Sequence, residues 1–280
     1  MTHAPRTPTN WQARAFNQVV DSSNQIHSDA MAQAYGFKGA LVPGVTISSY
    51  LMHPAVLAWE TDWLSRGWAR VVVNKPLYDA YEFEVQVSDV SANAYRAELI
   101  DQEGTRVASG DMRLTDDLPT PPKRRGDPYL VRGATAPDVS RAVLEGMQTR
   151  GMGALPVSWN AVHPMATYLV DMDAMPALLR FDGAGYANGA FMLGLSNWVL
   201  AGNVYMNPWV HLQTESQFFA PVSSQTELIV ECAVADLFDR RGHQFVDARV
   251  DVYRAEDDTA VMTALLRAIY RLRPPAEPAD

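Results

Sequence analysis

Six histidines are present, and one of them, His27, has neighbours that could put it to chemical use. An imidazole changes charge near neutral pH and passes a proton in either direction, so His27 is a candidate general base or acid. Asn24, three residues earlier, could orient that ring or a substrate. The residues that follow supply a second kind of group. Ser28 or Asp29 can cap a short helical segment that runs to Ala34, and Gly36 suits its C-terminal stop. A Gly- and Pro-rich turn from Lys38 to Gly44 then delivers a second, apolar helix. The first N–H groups of that helix, around Gly44 and Val45, lack intrahelical acceptors, and such an N-terminus polarises a carbonyl or holds an anion. A proton-transfer group and a carbonyl-polarising group thus share one stretch, Phe16 to Met52.

Taken together, these residues resemble the hydratase motif of the MaoC-like, (R)-specific enoyl-CoA hydratase group. That motif reads roughly F-x-x-x-x-G-D-x-N-P-[IL]-H-x-D, then A-x-x-x-G-F, then a Gly opening the central helix. Phe16, Asn24, Ile26, His27, Asp29, Gly36, Phe37 and Gly44 fall in register without a gap. The catalytic Asp of that group falls on Ser22, its preceding Gly on Asp21 and its Pro on Gln25. The resemblance implies an α+β double hotdog, in which two central helices are each wrapped by an antiparallel sheet. It also implies a mechanism. The carbonyl of a 2-enoyl thioester lies against the N–H of Gly44 or Val45, while His27 and a carboxylate hold the water that attacks C3 and protonate C2. Because Ser22 is not a carboxylate, that group has to be Asp21 turned inward or Glu215 from the second half, with Ser22 binding water passively. No resident cofactor is implied; acyl-CoA or an acyl carrier protein thioester is the substrate and partner, and two copies can pair as a homodimer. Three activities remain open: a hydratase or dehydratase, an acyl-CoA thioesterase on the same fold, and a non-catalytic acyl-thioester binding protein.

The bulk properties narrow the partners. A formal charge of -9 and a pI near 5.1 argue against nucleic acid and against an anionic membrane, which both need a basic surface. One cysteine, Cys232, permits no internal disulfide and fits a reducing cytoplasm. The N-terminus MTHAPRTPTNW has no apolar core of the secretory kind. The most apolar run, Gly189 to Gly202, is too short to span a bilayer and is interrupted by Ser196 and Asn197, so it reads as a buried helix. No group of His, Cys and carboxylates shows metal-ligand spacing.

The elements around the motif follow from periodicity. From Val45 to Trp59 apolar residues recur at three- and four-residue steps, giving one stripe facing a partner layer, and Pro54 has to kink or restart that helix. Strict alternation over Tyr81 to Val87 predicts a half-buried strand, with others at Ala69–Asn74, Ala94–Ile100 and Arg106–Leu114. Residues 116–138 hold five prolines and connect two domains, 1–117 and 139–275, with the linker proper at 118–138. Within it Lys123, Arg124 and Arg125 are either a solvated run or a phosphate contact. Beyond the linker the pattern repeats: Pro76-Leu77, then Phe83-x-Val85, is echoed at constant offset by Pro221-Val222, then Leu228-x-Val230. An apolar helix at Ala187–Tyr205 precedes it, and strands over Val246–Val252 and Val261–Leu272 complete it. The second half has no Asn-x-x-His copy. His211 and Glu215, four apart in one predicted strand, share a face and could complete a site across the halves; otherwise His211 is a buried, hydrogen-bonded residue and Glu215 a surface one. His163, His243, His53 and His3 have no supporting context, and the seven tryptophans read as core.

Overall fold

The computed structural model describes residues 6–19, 24, 27–34 and 36–273. The first half runs β1 (Trp11–Arg14), α1 (Asp29–Ala34), α2 (Gly44–Arg66), β2 (Gly67–Val73), β3 (Glu82–Ser88), β4 (Ala94–Asp101) and β5 (Arg106–Leu114). The second runs α3 (Arg141–Arg150), β6 (Leu155–Ser158), α4 (Gly189–Asn203), β7 (Val210–Phe218), β8 (Glu227–Arg240), β9 (His243–Arg254) and β10 (Ala260–Arg271). Among the described residues these strands form one antiparallel sheet, ordered β1-β3-β4-β5-β2-β7-β10-β9-β8-β6. The order of one half is that of the other, reversed about a seam where Trp68–Val72 pairs with Gln213–Gln217. The internal repeat is therefore structural: the offset that relates Pro76 to Pro221 also relates Gly44 to Gly189, the first residues of α2 and α4.

Both long helices pack on this sheet and touch each other, Gly189 against Ser49 and Met52. The expectation of one apolar stripe on α2 was too modest. Every residue from Val45 to Val56 is buried, because sheet and α4 enclose the helix on all sides. Its polar residues survive there by local bonding, Ser48 Oγ donating to the Gly44 carbonyl and Ser49 Oγ to that of Val45. Nor does the helix restart at Pro54. The Tyr50 carbonyl, four residues earlier, accepts instead from Trp11 Nε1 at 3.1 Å. One residue on, the Tyr95 hydroxyl donates to the Leu51 carbonyl at 2.7 Å and accepts from the Ala55 N–H at 3.2 Å, bridging the opened turn. The break comes later, at Glu60, where φ is 48°.

The basic run of the linker keeps Lys123 and Arg125 exposed, as a solvated run would, but Arg124 and Arg125 are engaged by carboxylates of this chain. Glu231, fully buried on β8, accepts from the successive backbone N–H groups of Arg125, Gly126 and Asp127 at 2.7–3.0 Å. Arg124 pairs with Asp258, and Arg125 with Asp127 and Asp251. A carboxylate taken out of water needs such a full set of donors, and the linker supplies it. Among the described residues no helix is long and apolar enough to cross a membrane.

Candidate active site

The segment before α2 forms as its residues dictate. Gly36, at φ 83°, ends α1 with its own N–H on the Gln33 carbonyl and the Phe37 N–H on that of Ala32, the pairing that a left-handed residue at this position allows. Asp29 Oδ1 accepts from the Ala40 N–H at 2.7 Å, which tightens the turn toward Pro43. That turn brings the Leu41 carbonyl to 2.7 Å from Nδ1 of His27. A carbonyl only accepts, so Nδ1 carries the proton and Nε2 keeps its lone pair. Among the described residues Nε2 has no partner. Burial lowers the His27 pKa from 6.5, the bond to Leu41 offsetting part of the effect, so the ring is neutral at pH 7.

His27 lines a cleft of about 210 Å³ together with Asn24, Pro43, Gly44, Asn197, Trp209 and His211. An adjoining chamber of about 70 Å³ shares His27, Asn24, Pro43, Asn197 and Trp209 with it and adds Val45, Met165 and Trp198. Pro43 precedes α2 and offers no capping side chain. The N–H groups of Gly44 and Val45 accordingly have no acceptor among the described residues, and each of these residues faces one of the two compartments. No carboxylate lines either compartment among the described residues, and none of them form a metal-binding group.

Asn24 is committed elsewhere than the ring of His27. Its amide donates to the Trp209 carbonyl at 3.0 Å and accepts from the Trp209 N–H at 3.3 Å, tying the motif segment to the chain just before β7. Asp21 and Ser22 lie outside the described residues. The pairing of His211 with Glu215 does not form. A bulge in β7, where Ala268 opposes His211 but Arg267 opposes Gln213, inserts one extra residue and reverses the alternation beyond it. His211 thus faces inward with Thr214, while Glu215 faces outward, across from Arg70 and accepting from Trp68 Nε1 at 3.3 Å.

His211 itself is buried and bonded at both nitrogens, Nδ1 to Asn197 Oδ1 at 3.0 Å and Nε2 to Thr214 Oγ1 at 2.6 Å. Its desolvation pushes the pKa down to about 3. The ring packs on Gly44, where a Cβ would stand 3.0 Å from its Cδ2. Any larger residue at the start of α2 would push the His211 ring back by a few tenths of an ångström. Two lining residues escaped the sequence reading: Trp209, and Asn197, whose only signal was a polar residue within the most apolar run.

The pseudo-symmetric position in the second half is closed. Asn188, before Gly189, caps α4 by accepting from the Phe191 N–H, and its amide donates to the carbonyls of Met165 and Ala166. Where α2 presents open donors, α4 presents a satisfied end.

No protein-family model matches the chain, and no curated protein matches it. Solved structures do, along nearly its whole length. A conserved hypothetical protein of Mycobacterium tuberculosis, described as essential for bacterial survival during infection and as having a double hotdog fold, superposes with a TM-score of 0.59 at 14% identity, over 94% of this chain and 96% of its own. A protein of Chloroflexus aurantiacus, provisionally named a MaoC domain protein dehydratase, gives 0.56 at 12% identity over 97% and 99%. A tesB protein of Mycobacterium avium subspecies paratuberculosis gives 0.55 at 10% identity over 96% and 94%. At these identities the likeness is one of architecture, and with the mirrored sheet order it leads to one conclusion: the chain has the double hotdog fold.

Proposed function

We propose that this chain is a hydro-lyase acting on an acyl thioester, adding water across C2=C3 of a 2-enoyl group or removing it from a 3-hydroxyacyl group. The observation that carries this reading is the pairing of a neutral His27, its Nε2 without a partner among the described residues, with the uncapped start of α2 in one cleft. In the dehydrating direction Nε2 takes the proton from C2, and the electron pair moves into the thioester carbonyl. The N–H groups of Gly44 and Val45 stabilise the resulting enolate oxygen; one preorganised donor of this type is worth about 3 to 4 kcal/mol. The C3–O bond then breaks, and the departing hydroxide takes the proton held by His27, leaving the enoyl thioester and water. Hydration is the same path reversed. The carrier is coenzyme A or an acyl carrier protein, and the single, buried Cys232 supports a cytoplasmic setting.

Dehydratase and thioesterase names occur among the proteins of like architecture, which supports the substrate class. The two chemistries separate in one assay. With crotonyl-CoA the absorbance of the conjugated thioester should fall without release of free thiol, and His27→Ala should slow that fall by at least tenfold to a hundredfold. Thiol release would favour the thioesterase, and a silent wild type that still binds the thioester would favour the binding protein.

A further inference from the structure

The second half brings to the cleft a chain of hydrogen bonds whose direction can be deduced. A neutral imidazole donates through one ring nitrogen and accepts through the other. Thr214 is buried, and among the described residues its hydroxyl has no acceptor other than Nε2 of His211. A buried donor is rarely left unpaired, so Thr214 donates to Nε2, and the ring proton resides on Nδ1. Nδ1–H then donates to the oxygen of Asn197. With that oxygen engaged, the carboxamide turns its NH2 group toward the cleft, where the two N–H donors meet no acceptor among the described residues. Around it Val45, Met165, Trp198 and Trp209 form the apolar part of the chamber wall, and Asn24 and His27 the polar part.

We propose that Asn197 is a substrate-binding group that donates a hydrogen bond to the oxygen on C3 of the acyl chain, and that Thr214 and His211 are positioning residues that keep its donor side outward. The name given to that oxygen, a departing hydroxyl or an arriving water, rests on the hydro-lyase reading; the donor itself does not. A donor at that point favours an acyl group with an oxygen acceptor there over the plain saturated chain, which offers it none. The relay needs a neutral His211, and its depth in the protein keeps it so at physiological pH.

Two measurements test this, and neither requires turnover. In the ligand-free protein, ring 15N shifts of His211 should show a protonated Nδ1 and an unprotonated Nε2; the opposite tautomer would reverse the relay and overturn the proposal. Calorimetry should then compare acetoacetyl-CoA, whose C3 oxygen accepts, with butyryl-CoA, which lacks it; neither can be hydrated. Wild type should prefer acetoacetyl-CoA by about tenfold, the scale of one neutral hydrogen bond. Asn197→Leu and Asn197→Asp should abolish that preference while retaining butyryl-CoA binding. Thr214→Val should weaken it, and Thr214→Ser should restore it. A preference unchanged in Asn197→Leu would refute the role of Asn197. A preference that depends on Asn197 in a protein unable to hydrate crotonyl-CoA would keep this proposal and discard the hydro-lyase.

Discussion

His27 works, in this reading, because its two nitrogens have been given different tasks. The Leu41 carbonyl holds the proton on Nδ1 and fixes the ring, leaving Nε2 as the base. Only the neutral ring can take a proton, and burial has moved its pKa below 6.5. The sign follows: kcat/KM should be level around pH 7 and fall on acidification, with a midpoint below 6.5 rather than above it. A midpoint at or above 6.5, measured on crotonyl-CoA hydration, would mean that another group sets the limb. The proposed path asks nothing of Asp21 or Ser22, so Asp21→Asn should keep activity within about threefold of wild type, an effect far smaller than general acid or base loss. A gain in Ser22→Asp from a silent protein would instead mean that the cleft binds the thioester and lacks its base.

At the scale of elements, the contrast between the two helix starts supports placing the proposed site at α2 rather than α4. Pro43 has no side-chain acceptor to cap α2, whereas Asn188 caps α4 and also holds two carbonyls of the segment before it. Asn188→Ala should therefore lower unfolding free energy by about 2 kcal/mol, from a lost cap together with buried carbonyls left without donors. Chemical denaturation would measure it, and a loss under about 0.5 kcal/mol would mean that the end of α4 is not held by this residue. The bulge in β7 has an opposite kind of effect. It costs one ladder position but turns His211 inward toward Asn197 and sends Glu215 to the outer surface.

Over the whole molecule, burial of histidines links stability to pH. His53 is stacked on Trp11, with its Nδ1 at 2.9 Å from the Tyr168 hydroxyl, and its pKa is lowered to about 4, as that of His211 is to about 3. Both lie below the 6.5 of the unfolded chain, so the unfolded state binds more protons in the interval between. Stability is then complete above 6.5 and declines as pH falls from 6.5 toward 4 and 3. Wild type should lose melting temperature between pH 7 and pH 5, above the range where most carboxylates titrate, and His53→Gln should lose less across the same interval. Equal losses would show that His53 carries no linkage.

The amino-acid sequence by itself determined the repeated helix-and-strand plan, because period-two and three-to-four-residue patterns are local and each element's burial imposes them. It also identified His27, Asn24 and Gly44 as neighbours, since one short stretch with a Gly stop and a Pro-Gly turn carries all three. Tertiary structure decided the rest. Asn24 met the backbone of Trp209, distant in sequence, and Tyr95 repaired the helix at Pro54 from another strand. The partners of Glu231 lay in the linker, whose backbone N–H groups hold it while Lys123 and Arg125 stay exposed. Asn197 came to the cleft through His211 and Thr214, and a single inserted residue in β7 decided which side chains of that strand could reach it. No periodicity in the sequence marks a bulge: it is set by how two strands fit when the seam between the halves closes.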